Sequence, residues 1–142
     1  ILGGEMKIHR AYMKRLDITE EQVFSVKPAL ANLSYTNYML SIAHAGTPME
    51  IVASILACSW SYAEIGQALA AIPGAAEHPF YGEWIRGYAS EEYTATNQAL
   101  IELMDTLAAD ATEAQLAYLT DVFVNCSWYE LGFWDMAWEV QP

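Results

Sequence analysis

The chain has 142 residues and a mass of 15.8 kDa, one domain's worth of polypeptide. Hydrophobic residues make up 54% and charged residues only 17%, which excludes a disordered tail, a collagen-like fibre and a coiled coil. The net charge is −12, and residues 72–142 hold a single base, Arg86, so phosphate neutralisation on a nucleic acid and attraction to an anionic membrane are both excluded.

In chain order, Met6, Ile8, Tyr12, Met13 and Leu16 recur at helical spacing between Glu5 and Asp17. Thr19 with Gln22 forms a capping-box signature for a short helical turn. Pro28 suits a first helical turn, and the stretch from Ala29 to Ala45 runs without a breaker until Gly46. Thr47-Pro48-Met49-Glu50 is a stronger start, with an N-cap Thr, Pro at the first helical position and Glu at the third. It predicts a long helix closing at Ile72, before Pro73-Gly74. Ser90 followed by Glu91 and Glu92 opens a further helix, the acids suiting its positive end. Asp110 or Thr112 opens the last, which meets no Pro before Trp138. No strand-like alternation survives, so the predicted fold class is all-α, with about five or six helices forming one domain over residues 1–142. Several helices are apolar nearly all round and should lie buried within a bundle. The segment Ile51–Ile72 approaches membrane-spanning length, but Glu64, Gln67 and four Ser or Tyr hydroxyls interrupt it, so no membrane span is expected.

Cys58 and Cys126 do not make a disulfide framework, and free thiols point to a reducing compartment, the cytoplasm. The opening residues Ile1-Leu2-Gly3-Gly4-Glu5 do not read as a signal peptide. They lack an initiator Met, and the expectation is a chain that begins partway along a longer polypeptide.

Three constellations could carry chemistry. In Cys58-Ser59-Trp60-Ser61-Tyr62, Cys58 and Tyr62 share a helix face. A thiol there is a candidate nucleophile or, more commonly, a small core side chain. Glu130 sits among Trp128, Tyr129, Phe133 and Trp134. Facing the core, its carboxyl would be pushed toward protonation and could act as a general acid; facing solvent, it would be an ordinary surface acid. Tyr35, Tyr38, Tyr62 and Tyr88 stand in apolar helical settings, and could line a pocket for a flat heterocycle or simply fill an aromatic core. Metal binding is not expected: His9, His44 and His78 are scattered, and neither a Glu-x-x-His pair nor a CxxC occurs. The absence of a nucleophile elbow leaves Ser-His-Asp catalysis without support.

At the level of motifs, Cys58-x-Trp60-x-Tyr62-x-x-Ile65-Gly66 resembles the cysteine motif of the TenA family, the thiaminase II or aminopyrimidine aminohydrolase enzymes. Leu33-Ser34-Tyr35-Thr36-Asn37-Tyr38-Met39 precedes it, His78-Pro79-Phe80-Tyr81-x-x-Trp84-Ile85-x-x-Tyr88 follows, and Tyr129-Glu130-x-x-Phe133-Trp134-Asp135-Met136-Ala137 comes near the end. The resemblance implies an all-helical fold of the heme-oxygenase type, without heme or other cofactor, assembled as a homotetramer. It implies hydrolysis of 4-amino-5-aminomethyl-2-methylpyrimidine in thiamin salvage, and in some members cleavage of thiamin itself. By motif position, Cys58 matches the catalytic nucleophile, Glu130 the acid/base carboxylate, and Tyr35, Tyr62 and Tyr88 the tyrosines of the pyrimidine pocket; Cys126 is not implied to be catalytic. Family chains carry further helices ahead of these motifs, including an aspartate that binds the pyrimidine amino group. The expectation is therefore that residues 1–142 form the C-terminal portion of such a fold, with the preceding segment completing it. The competing expectation is a catalytically silent relative that binds a thiamin-like ligand or a regulatory partner. Retention of both Cys58 and Glu130 favours the enzyme. The charge balance and the lack of a basic recognition helix speak against direct DNA binding.

Overall fold

The computed structural model describes residues 2–140, with side chains from Met6 onward. Seven helices follow in order: α1 (Leu2–Arg15), α2 (Glu20–Ser25), α3 (Leu30–Ala45), α4 (Pro48–Ala70), α5 (Gly82–Tyr88), α6 (Glu91–Leu107) and α7 (Glu113–Glu139). No strand occurs among the described residues, as expected of an all-α chain. Among those residues, no helix is long and apolar enough to cross a membrane.

The capping residues fix most of the boundaries. At the start of α4, the Thr47 backbone N–H donates to Glu50 Oε2 at 2.7 Å and the Met49 N–H donates to Thr47 Oγ1 at 3.3 Å, while Pro48 occupies the first turn. The Thr47 hydroxyl, which donates to the same Glu50 oxygen at 2.6 Å, and then the Thr47 backbone N–H hold the Glu50 carboxyl below its ordinary range. The same reciprocal box joins Thr19 to Gln22 at α2. Thr112, not Asp110, caps α7 with Gln115. Ser90 Oγ accepts the Tyr93 N–H at 3.1 Å to open α6. Pro28 lies just ahead of α3 rather than inside it, and Ala29 caps that helix with backbone alone. Helix α1 begins at Leu2, ahead of the expected Glu5, within the uncertainty with which any helix end is encoded.

The sequence reading missed α5. It has seven residues, including Gly82 and Gly87, and so carries no propensity signature of its own. Tertiary contacts hold it instead. His78 Nδ1 accepts the backbone N–H groups of Phe80 at 3.1 Å and Tyr81 at 3.0 Å, ahead of its first turn. Arg86 donates to the Ala76 carbonyl. At its far end, Gly66 of α4 leaves room for the backbone at Tyr88 and Ala89.

Helices α3, α4 and α7 form the centre, and α6 and α5 pack along α4. Ile42, Ala53, Leu119 and Val122 make one core cluster, and Tyr35, Ala57 and Cys126 the next. Stepping from the first cluster to the second moves forward along α4 and α7 and backward along α3. Helices α4 and α7 therefore run parallel, with α3 antiparallel to both. The stripe Ser59, Ala63, Gly66 on α4 is small and buried, which lets α6 and α5 approach closely. Helix α1 lies against the α5 region: the Tyr12 hydroxyl donates to the Phe80 carbonyl at 2.7 Å, and Arg15 pairs with Glu83.

The expected burial of the apolar helices holds on one side only. On α7, Val124, Trp128, Leu131 and Trp138 are exposed, and on α4 so are Ile51 and Ile55. Their spacing is helical, so each helix shows one apolar side to the core and another to the outside of this chain.

Candidate functional site

Where the three central helices converge, Tyr35 on α3 lies within electrostatic reach of Cys58 on α4 and of Cys126 and Glu130 on α7. Tyr35 is buried, and its ring stacks on Tyr129 with centroids 5.5 Å apart and planes 9° from parallel. Its hydroxyl is sealed from solvent, and no acceptor meets it at full hydrogen-bonding geometry. The Glu130 carboxylate nonetheless acts on that hydroxyl, by its charge and as a nearby acceptor. Burial first, then Glu130, then Cys58 and Cys126 push the ionisation of Tyr35 far above the ordinary tyrosine range. Near neutral pH the group is therefore a neutral phenol able to donate a proton in a hydrogen bond.

Glu130 is only 6% exposed, so of the two orientations open to it in the sequence, the structure takes the buried one. Cys126, one helical turn before it, has no exposed surface. Burial, reinforced by the Glu130 charge, pushes its thiol up to about 11. Cys58 is half-buried, which sets it apart from Cys126. The parallel register explains how residues 72 positions apart come together. Ala57 shares a core cluster with Cys126, and Tyr62 meets Trp134 with ring centroids 5.6 Å apart. Cys58 and Glu130 fall in the step between those two pairs, in the two longest helices.

Tyr62 and Tyr88 form a second group one turn further along. Their centroids are 4.9 Å apart, and Trp84 lies 4.5 Å from Tyr88 and 5.9 Å from Tyr62. Tyr62 follows Cys58 by four residues and Trp134 follows Glu130 by four, so this aromatic wall continues the face that carries the thiol and the carboxylate. Beyond it lies an apolar cavity of about 520 Å³ between Ile65, Leu69, Trp84, Ile85, Leu131 and Trp134, whose lining includes neither Cys58 nor Glu130.

Trp134, Trp84 and Tyr129, which belong to the sequence motifs without an assigned role, complete the surroundings. Trp134 and Trp84 could have been reached from their helical spacing relative to Glu130 and Tyr88; Tyr129 could not, because its stacking on Tyr35 joins two distant helices. Tyr38 stands beside the site rather than in it. Its ring lies 5.3 Å from Tyr129, and its hydroxyl accepts from Asn125 Nδ2 at 3.1 Å. Among the described residues, no group of three or more His, Cys, Asp or Glu could hold a metal ion. His78, which accepts two backbone N–H groups, has a structural task. Chemically, the arrangement offers a soft nucleophile, a carboxyl that can carry a proton, a neutral phenol and flat aromatic walls.

Comparison with known proteins places the chain in a family and a fold. Residues 1–140 match the TENA/THI-4/PQQC family. An aminopyrimidine aminohydrolase from Halalkalibacterium halodurans is 45% identical over 96% of this chain and 61% of its own length. A protein of the same name from Helicobacter pylori is 43% identical over 98% of this chain and 64% of its own. The chain thus spans under two thirds of the length of these curated relatives. The solved structure of a TenA homologue from P. horikoshii OT3 superposes with a TM-score of 0.84 at 30% identity, covering 95% of this chain and 62% of that one. With sequence match and helical arrangement in agreement from one end to the other, this chain belongs to the TENA/THI-4/PQQC family.

Proposed function

We propose that the protein hydrolyses an aminopyrimidine of thiamin salvage, exchanging the amine of 4-amino-5-aminomethyl-2-methylpyrimidine for a hydroxyl, with thiamin itself as a further substrate. The observation that carries this reading is the convergence of Cys58 and Glu130 on the buried Tyr35 hydroxyl. The relatives named aminopyrimidine aminohydrolase support the substrate class.

In this reading the Cys58 thiolate adds to the electron-poor ring while Glu130 delivers a proton to a ring nitrogen. Ring electrons then expel the amine, which departs from its ammonium form as ammonia and leaves an exocyclic alkene behind. Water adds to that carbon and gives up a proton, replacing the one that the ammonium form had taken from solvent; the ring nitrogen returns its proton to Glu130, and the C–S bond breaks to restore the aromatic ring and the thiolate. The balance is amine plus water to alcohol plus ammonia. A thiolate suits both ends of the sequence, since it adds readily and departs readily. Tyr35 donates from its neutral hydroxyl, and Tyr62 and Tyr88 pack against the faces of the heterocycle. The aspartate that family chains direct at the pyrimidine amino group would come from the segment preceding these helices, so that residues 1–142 act as the C-terminal part of the fold. The proposal extends to a cytoplasmic homotetramer.

The test is ammonia release from the aminopyrimidine by the complete polypeptide. Cys58→Ser should lower the rate by about a thousandfold or more with helicity unchanged, because the oxygen is a much poorer nucleophile at neutral pH. Cys126→Ser should keep most of the activity. Equal activity in the two variants removes Cys58 as the nucleophile.

A further inference from the structure

Helix α6 grips α4 at the residue next to Cys58. Ser59 Oγ donates to Asn97 Oδ1 at 3.0 Å, and both residues are only 6% exposed. The Tyr93 hydroxyl donates to the Ser59 carbonyl at 3.3 Å. The Tyr93 ring also stands edge-on to Tyr88, with centroids 4.9 Å apart. One helix face therefore holds residue 59 twice and supports one of the aromatic walls.

We propose that Asn97, through its buried hydrogen bond to Ser59, is a positioning residue that sets the rotation of α4 and so aims the Cys58 thiol at Glu130. The proposal rests on the hydrolytic reading for its kinetic consequence, though not for its geometry. Two buried apolar side chains would fill the same space and allow a range of rotations, whereas a buried hydrogen bond is satisfied in one. Consecutive residues of an α-helix point about 100° apart, so fixing Ser59 toward α6 directs Cys58 toward α3 and α7. A turn of α4 by about 20° moves a Cα on a 2.3 Å radius by about 0.8 Å, and the thiol, which lies further out, by more. Displacements near 1 Å cost about a hundredfold in rate when a nucleophile must meet a bound substrate.

The experiment compares the complete protein with a Ser59→Ala/Asn97→Leu double variant. Removing both partners leaves no orphaned buried group, so the fold is retained. The expected result is a kcat about 10–100-fold lower, a KM within about threefold of the parent and an unchanged cooperative melt. In a Cys126→Ser background, the rate at which iodoacetamide alkylates Cys58 should also change by about fivefold or more, since that rate follows the surroundings of the thiol. Parental kcat and parental alkylation in the double variant would overturn the proposal. So would a loss of kcat that merely tracks a loss of stability. A parent protein that releases no ammonia but shows the change in alkylation would sink the hydrolytic reading and leave the positioning role standing.

Discussion

Gly66→Ala should destabilise the protein although it improves helix propensity. In the interior of α4 the exchange alone is worth about 0.8–1 kcal/mol in favour of Ala. The added Cβ, however, would sit 2.7 Å from Tyr88 Cβ, 2.8 Å from the Tyr88 carbonyl carbon and 3.0 Å from the Ala89 nitrogen. Ordinary contact begins at 3.4 Å, so the end of α5 must withdraw by roughly 0.7 Å, and two of the three obstructing atoms are backbone that no rotamer change can move. Overpacking of this kind costs about 1–3 kcal/mol, leaving a net loss of up to about 2 kcal/mol after the propensity gain. Gly132→Ala is the matched control, because on α7 the same Cβ meets nothing within 4 Å and should stabilise by about 0.5–1 kcal/mol. Urea denaturation of the two variants beside the parent measures both signs. The retreat of α5 carries Tyr88 away from Tyr62, so Gly66→Ala should also raise KM for the pyrimidine. Equal stabilisation by both substitutions would refute the close packing of α5 on α4.

Tyr35→Phe removes a buried hydroxyl that has no well-formed hydrogen bond, so stability should stay within about 1 kcal/mol of the parent while ammonia release falls at least about tenfold; a large stability loss with full activity would reverse the assignment. Glu130→Gln should lower activity by about a hundredfold or more with the fold retained, since an amide cannot deliver the proton, and activity within a few fold of the parent would remove its acid/base role. Stability should fall as pH rises from about 9 to about 11. Below that window Cys126 is protonated in both states; within it the unfolded chain ionises first, near the ordinary thiol value, and draws the equilibrium toward unfolding by up to about 3 kcal/mol. Cys126→Ala should flatten that slope in urea titrations at pH 8 and 10.5, and an unchanged slope would show that the buried thiol is not its source.

What was legible in the sequence was local. Thr47, Ser90 and Thr112 mark helix starts because a cap and its partner lie within three residues of each other. The burial of Glu130 was left open, because helical periodicity cannot say which side of an almost wholly apolar helix faces the core. Cys58 and Cys126 look alike in the sequence; only the packing of Cys126 against Tyr35 and Ala57 makes one sealed and the other accessible. Helix α5 was illegible for the opposite reason: His78, Arg86 and the space at Gly66 define it through contacts that propensity does not contain. Asn97 reads as one more polar residue on an amphipathic helix until α6 is laid against Ser59. The motif resemblance singles out Cys58 and Glu130, and the parallel register of α4 and α7 sets them at neighbouring levels of the two helices.

The central claim is that Cys58 is the nucleophile of a site that holds an aminopyrimidine, and it is tested most directly by peptide mass mapping after limited iodoacetamide treatment at pH 8. With its thiol near 11, Cys126 is thiolate in only about one molecule in a thousand at that pH and is sealed besides, so alkylation should fall on Cys58 alone. Activity should decline in step with that modification, and saturating 4-amino-5-aminomethyl-2-methylpyrimidine should protect both. Alkylation of Cys58 that the pyrimidine does not slow, or full activity in protein modified at Cys58, would contradict the account.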